Sequence, residues 1–358
     1  MTGEKILCEG NEAVGRGAIY AGCKYFFGYP ITPQNEIAEF MARELPQIGG
    51  VYVQPEGEGA VAYMLFGGAL TGQRVMTATS SPGFSLMQEA ISHLAAVEAP
   101  AVIVEVMRLG PGAGTGGQQG QTDYRQVTKG GGHGAYRCLV IAPYSAQEIF
   151  DFVQLAFYLA DKYRIVVIVL TDFILGRVAE LIELRRLDFE PLPQKDWALK
   201  GKAQKEGRRS CHLSGLVWGG VTGYFSRQLD KYQEIVASET RYQTYKTEGA
   251  QLLLVAYGSM ARVARDAVDR AQAQGMKVGL LRPITLWPFP KRAIREAGLA
   301  AGKVLVVEDS PGELVEDVEV AVGGQVPVHL LNILARHIPG PSGLIYPERV
   351  LQEVKALI

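Results

Sequence analysis

The sequence predicts an α/β protein built as two units, each a mostly parallel sheet covered by helices, with a less regular stretch between them. Three observations carry this. Short β-branched runs alternate with longer Ala-rich stretches, the 42 glycines cluster at the ends of apolar runs, and the rhythm breaks from about residue 184 to 249. In the first unit, residues 1–183, Val51–Gln54, Val75–Thr79, Ala101–Met107, Cys138–Ala142 and Ile165–Thr171 read as strands. Asn35–Glu44, Gly59–Leu70, Phe84–Val97 and Ala146–Tyr163 read as helices. In such a sheet ligands collect at the carboxyl ends of the strands.

In residues 184–249 the run Phe189–Pro193 and the polar segment Lys200–Ser210 break the periodicity. With Trp197, Trp218 and Tyr224 present, this excursion is expected to pack on a surface. The second unit, residues 250–358, opens with the strand Gln251–Tyr257 and a helix from Met260 to Gln274 closed by Gly275. Strands follow at Lys277–Leu281 and Val304–Glu308.

Composition narrows the function. The 358 residues are 47% hydrophobic and 20% charged, an ordinary globular mixture. The 36 Lys and Arg balance 37 Asp and Glu, which argues against a nucleic-acid or membrane partner. Met1–Asn11 has no apolar run of signal-peptide length, and Ile165–Leu170 is too short to span a bilayer, so a cytoplasmic location is expected. The four cysteines, at 8, 23, 138 and 211, are scattered without a CxxC pair. No metal ligand or Fe–S cluster is expected in this chain, so any redox centre must sit on another one.

Four segments of the first unit could carry chemistry. Gly28-Tyr29-Pro30-Ile31-Thr32-Pro33 is a stiff turn after an apolar run, with Thr32 suited to hydrogen bonding; the bland reading is a turn leading into a helix. Gln54–Ala60 places Glu56 and Glu58 just before a helix, where a carboxylate either complements the helix dipole or meets a cofactor nitrogen. Thr79-Ser80-Ser81-Pro82-Gly83 joins a buried strand to a helix through small residues. Arg108 ends a strand, where its fork suits a carboxylate, and the glycine-rich run Leu109–Gly117 after it reads as a mobile loop. That run matches neither GxxxxGK[ST] nor GxGxxG. His133, in the Gly130–Gly134 loop, reads as structural, Asp172 as a cap or turn residue, and Ser259 as a helix N-cap.

Together these segments resemble the α subunit of the 2-oxoacid:ferredoxin oxidoreductases, the branched-chain 2-oxoisovalerate type in particular. The residues that carry the resemblance are Gly10-Asn11-Glu12-Ala13, Gly28–Glu36, Ser80–Gly83, Met107-Arg108, Gly110-Pro111-Gly112, Gly130–Gly134 and, in the second unit, Arg282–Pro290. The resemblance implies a thiamine-diphosphate pyrimidine-type domain and a smaller transketolase C-terminal-like domain. It implies catalytic roles for Glu58, Thr32 and Arg108, and cofactor contacts from Tyr29, Pro30, Glu58 and Ser81. A family glutamate bonds the aminopyrimidine with a glycine about nine positions on. Glu58 puts Gly67 there without a gap and Glu56 does not.

The resemblance further implies oxidative decarboxylation of a 2-oxoacid, with CoA taking the acyl group and electrons passing to ferredoxin. Mg²⁺ and a [4Fe–4S] cluster would lie on a β subunit, with a γ subunit and a ferredoxin-like subunit completing a hetero-oligomer. The polar run Gln118–Asp123 is unexpected for a branched-chain enzyme and keeps 2-oxoglutarate or an aryl 2-oxoacid open as substrate. Two other readings stand beside this one. A Rossmann dehydrogenase lacks its fingerprint at Gly15-Arg16-Gly17; a non-catalytic α-like scaffold is disfavoured by Thr32, Glu58 and Arg108.

Overall fold

The computed structural model describes residues 3–112, 117–201, 219–332 and 344–358. A seven-stranded sheet runs in the order Thr285–Trp287, Leu139–Ile141, Val166–Asp172, Ala101–Met107, Val75–Thr79, Tyr25–Phe27, Val51–Val53. All neighbours are parallel except Thr285–Trp287, which lies antiparallel to Leu139–Ile141. Every residue of Val75–Thr79, Ala101–Met107 and Val166–Asp172 is buried. Helices on both faces account for this, and for the near-continuous apolar sequence of these strands.

A five-stranded sheet has the order Val328–Leu331, Val304–Val307, Leu252–Val255, Val278–Pro283, Tyr242–Tyr245, with the last strand antiparallel. Glu4–Glu9 and Ala179–Leu184 form a separate antiparallel ribbon. The elements expected from the sequence are present, with shifted ends. The helix expected at Phe84–Val97 is two, Ser81–Leu86 and Gln88–Ala96, and Pro82 in the first turn starts the earlier one ahead of Phe84.

The irregular stretch holds more order than its sequence suggests. Gly220–Glu239 is a helix lashed to the first sheet's helices, because buried Glu98 receives Arg227 at 2.5 Å and Lys231 at 2.8 Å. Glu239, at its end, takes Lys162, Tyr163 and Arg241. Tyr242–Tyr245 then joins the second sheet. Trp218 and most of the Lys200–Ser210 run lie outside the described residues.

The two sheets are stitched by polar contacts. Buried Arg282 makes a two-pronged bond to Glu148 at 2.6 and 2.8 Å and lies 3.9 Å over the Tyr144 ring. Its neighbours Thr285–Trp287 cross to the seven-stranded sheet, so the RPITLWPFP run is a seam element. Asp172 caps the helix Phe173–Arg177 through Leu175 N–H and accepts Ser259 N–H with its other oxygen. Ser259 is thus not the N-cap expected of it. Tyr257 holds that position, because the helix begins two residues earlier than expected, at Gly258.

Asp309 faces Asp172 across this seam, almost wholly buried, with the Gln119 amide as a weak partner of its carboxylate. Burial, with the charge of Asp172, pushes its carboxyl up to about 7. The folded chain therefore holds a proton that the unfolded chain releases near pH 4, and stability falls as pH rises through the window from about 4 to about 7. Asp309→Asn should stabilise the protein more near pH 8 than near pH 5, by a few degrees in Tm. An equal shift at both pH values would sink this account.

Close packing gives a second test. A Cβ on Gly10 would stand 1.9 Å from the Leu175 carbonyl oxygen, a backbone atom that cannot swing aside. Gly10→Ala should cost about 1–3 kcal/mol, seen as a lowered Tm, and an unchanged Tm would show that the helix slides without penalty.

Candidate active site

Four adjacent strands of the seven-stranded sheet end on one side, and each releases one of the chemically distinctive segments. Ala101–Met107 delivers Arg108, Val75–Thr79 delivers Ser80–Gly83, Tyr25–Phe27 delivers Gly28–Pro33, and Val51–Val53 delivers Gln54–Gly59. The Gly28–Pro33 turn is held from behind. Buried Asn11 donates to the Pro33 carbonyl at 2.7 Å and to Glu36 at 2.8 Å, and Gln34 donates to the Tyr29 carbonyl at 2.9 Å. These bonds leave Tyr29 half-buried, and Pro30 and Thr32 exposed.

Glu58 is the first residue of the helix Glu58–Leu70 and is 7% exposed, whereas Glu56 is exposed. Its carboxylate packs on Gly83. A Cβ there would stand 2.6 Å from Glu58 Oε1 and 2.3 Å from Thr79 Oγ1. The glycine of the Ser-Ser-Pro-Gly segment is therefore what lets the carboxylate approach.

Arg108, 5% exposed, donates from Nη1 to the Thr32 carbonyl at 2.7 Å, so two expected site residues are joined. Its backbone N–H donates to Ser81 Oγ at 3.2 Å, and Ser81 Oγ donates to Asp123 Oδ2 at 2.5 Å. Thr122 Oγ1 accepts Gly110 N–H at 3.0 Å. Beside these bonds lies a cavity of about 510 Å³, lined by Ser81, Pro82, Gly110, Pro111, Thr122 and Asp123 among others, and closed by Pro311 and Glu313 of the second unit. Of the expected residues Ser81 lines it; Tyr29, Pro30, Thr32, Glu58 and Arg108 are not among its described walls.

Sequence reasoning missed three carboxylates here. Asp123 sits just before the helix Tyr124–Lys129, where it looks like an ordinary cap, and Glu313 lies in a turn. Burial pushes Asp123 up to about 6, partly offset by Ser81 and by the Arg108 charge. Glu105 is wholly buried, and burial followed by the Asp123 charge holds its carboxyl well above the usual range. A lone acid in Ala-Val-Ile-Val-Glu-Val-Met was a readable signal.

The polar run after the glycine loop turns inward. Gln121 bonds the Tyr257 carbonyl and Asp309 N–H, and Gln119 bonds Ser259 and Ile174 N–H. These amides serve the seam between the sheets. His133 meets Glu89 at 3.0 Å on the surface, in keeping with a structural role. Part of the glycine-rich loop, residues 113–116, lies outside the described residues. Among the described residues no helix is long and apolar enough to cross a membrane, and no group of three or more His, Cys, Asp or Glu could hold a metal ion.

Residues 16–233 match the family model "Pyruvate flavodoxin/ferredoxin oxidoreductase, thiamine diP-bdg", and residues 250–341 match "Pyruvate:ferredoxin oxidoreductase core domain II". The chain is 48% identical to ketoisovalerate oxidoreductase subunit VorB of Methanothermobacter marburgensis over 88% of its own length and 90% of the relative's. It is 36% identical to 2-oxoglutarate synthase subunit KorA of Methanothermobacter thermautotrophicus, over 96% and 97% respectively. Its fold follows that of the 2-oxoglutarate:ferredoxin oxidoreductase of Magnetococcus marinus, solved with 2-oxoglutarate, coenzyme A and succinyl-CoA bound. The TM-score is 0.84 at 27% identity, covering 99% of this chain and 65% of that one. A split gene transketolase, 14% identical, shares the fold at a TM-score of 0.60. The chain belongs to the 2-oxoacid:ferredoxin oxidoreductase family and is a subunit of an enzyme of that class.

Proposed function

We propose that this chain is the α subunit of a 2-oxoisovalerate:ferredoxin oxidoreductase and supplies the pyrimidine side of a thiamine-diphosphate site completed by another chain. The observation that carries this is Glu58, a buried carboxylate at the head of a helix beside the strand ends, with Gly83 cut back to receive it. Those residues fit a flat ring bearing a basic nitrogen. Bound there, thiamine diphosphate would supply the carbon nucleophile for a 2-oxo carbon and the electron sink for the decarboxylation that follows.

The chain's own residues do the rest of its share. Glu58 exchanges a proton with the aminopyrimidine ring. Tyr29, Pro30 and Ser81 shape the ring's surroundings. Arg108 orients the substrate carboxylate, and the Thr32 hydroxyl offers a hydrogen bond to the 2-oxo oxygen. In this reading a β subunit carries Mg²⁺ and a [4Fe–4S] cluster, and a γ subunit and a ferredoxin-like subunit or ferredoxin complete a cytoplasmic hetero-oligomer that passes electrons on and transfers the acyl group to CoA. The unit boundaries at 183 and 250 mark the pyrimidine-binding and transketolase C-terminal-like domains. The branched-chain substrate is supported by the 48%-identical relative, and by Gln119 and Gln121 turning into the seam between the sheets. The second reading, 2-oxoglutarate, is favoured by the 36%-identical relative and the ligands in the solved neighbour.

In the complex purified with its partner subunits and assayed with CoA and a viologen dye, 2-oxoisovalerate should give the highest kcat/KM of a 2-oxoacid panel. A higher value for 2-oxoglutarate would move the assignment to the second reading. Glu58→Gln should cost roughly 10²–10⁴-fold in kcat with the complex still assembled, while Glu56→Gln stays near wild type; the reverse pattern would transfer the role to Glu56. Arg108→Ala should raise KM for the 2-oxoacid by roughly 10-fold or more with cofactor retained. Unaltered substrate kinetics would remove Arg108 from substrate binding.

A further inference from the structure

Asp123 stands where a helix N-cap belongs, ahead of Tyr124–Lys129, yet its side chain makes no capping bond. The carboxylate turns instead onto Ser81 Oγ at 2.5 Å. A hydroxyl has one hydrogen to give, and this short bond to an acceptor-only carboxylate takes it in preference to the Arg108 carbonyl at 3.3 Å. Ser81 Oγ is then left with its lone pairs, and one accepts the Arg108 backbone N–H at 3.2 Å. The preceding residue helps: Thr122 Oγ1 lies 3.3 Å from the Arg108 carbonyl and accepts Gly110 N–H. Residues 122 and 123 thus grip the backbone at Arg108 from both sides, although they are remote from it in sequence. At the other end of Arg108 the guanidinium is on Thr32.

We infer that Asp123 is a positioning residue for the reaction, acting through Ser81 to hold Arg108 where its guanidinium meets the 2-oxoacid carboxylate. The inference rests on the substrate-binding role proposed for Arg108. It also reassigns Ser81, whose hydroxyl links Asp123 to Arg108 and is not free to donate to a ligand. The ionised carboxylate is the working form, because it alone presents Ser81 with a pure acceptor. The charged and titratable groups facing it are Arg108 at the strand end, Glu105 within that strand, Glu313 from the turn before the helix Leu314–Val322, and Tyr257 from the N-cap of the helix Gly258–Gln272. Arg125 and Tyr124 follow it on its own helix. Burial outweighs the Arg108 cation and sets its titration at about 6, inside the range where activity can be assayed.

The test uses the complex purified with its partner subunits and carrying Asp123→Asn, Ser81→Ala or both. Asp123→Asn should raise KM for the 2-oxoacid roughly tenfold, with kcat much less affected and the bound thiamine content unchanged. The wild type should lose kcat/KM as pH falls below about 6, and this limb should flatten in the variant. Ser81→Ala should reproduce the KM effect, and the double variant should be no worse than either single one, as residues acting in series require. A wild-type KM and acid limb in Asp123→Asn, or a double-variant loss equal to the product of the single losses, would overturn the inference. If Asp123→Asn does not assemble, Ser81→Ala decides: a raised KM supports the inference and an unchanged one overturns it. Glu58→Gln and Arg108→Ala separate the two levels. Where both are impaired and Asp123→Asn is silent, the proposed function stands and this inference falls; where Glu58→Gln turns over normally, the thiamine reading fails and the inference goes with it.

Discussion

Everything at the candidate site depends on four short strands pairing in parallel as neighbours. Because they run the same way, their carboxyl ends open on one side, and segments 20 to 80 residues apart in sequence meet without any of them being long. A parallel sheet must be buried on both faces, which accounts for the near-continuous apolar sequence of its central strands. The chemistry is thereby confined to the turns, where the chain leaves the core. An antiparallel arrangement of the same strands would have sent half of these turns to the opposite edge.

Given that geometry, the turns are held by main-chain atoms more than by side-chain pairs. Asn11 and Gln34 fasten the backbone of the Tyr29–Pro33 turn, Arg108 reaches the carbonyl of Thr32, and Ser81 takes the amide of Arg108. Backbone groups cannot rotate away, so this arrangement fixes the relative placement of the turns before a ligand arrives. Gly83 belongs to the same logic: leaving out a side chain makes the space that Glu58 occupies.

The seam between the two sheets has a different character. Arg282 and Glu148 form a bonded pair, and Gln119 and Gln121 use both ends of their amides. Asp309 is the exception, since its carboxyl is buried beside Asp172 and the nearby Gln119 amide offsets that only in part. Buried acids therefore collect along two lines, Glu105–Asp123 under the cavity and Asp172–Asp309 across the seam, and in both burial is the leading cause of their raised titration.

The strands and helices of the sheet, and the places of Thr32, Glu58 and Arg108 in the turns at the strand ends, were legible in the amino-acid sequence because apolar periodicity and turn chemistry act over a few residues at a time. The preference for Glu58 over Glu56 came from a family spacing; of the two, Glu58 is the buried one. What the sequence could not disclose was every feature set by contacts between distant segments. Asp123 and Ser259 look like ordinary caps until the fold turns one onto Ser81 and gives the other's amide to Asp172. The Gln118–Asp123 run reads as one polar stretch until the fold divides it, sending Gln119 and Gln121 into the seam and Thr122 and Asp123 to the cavity wall. The irregular stretch after residue 184 yields a helix anchored on Glu98, a partner more than 120 residues away. The sequence by itself determined which residue types stand at the strand ends. Tertiary structure alone decided what they face, because burial and hydrogen-bond partnership belong to pairs of distant segments and are written in neither one.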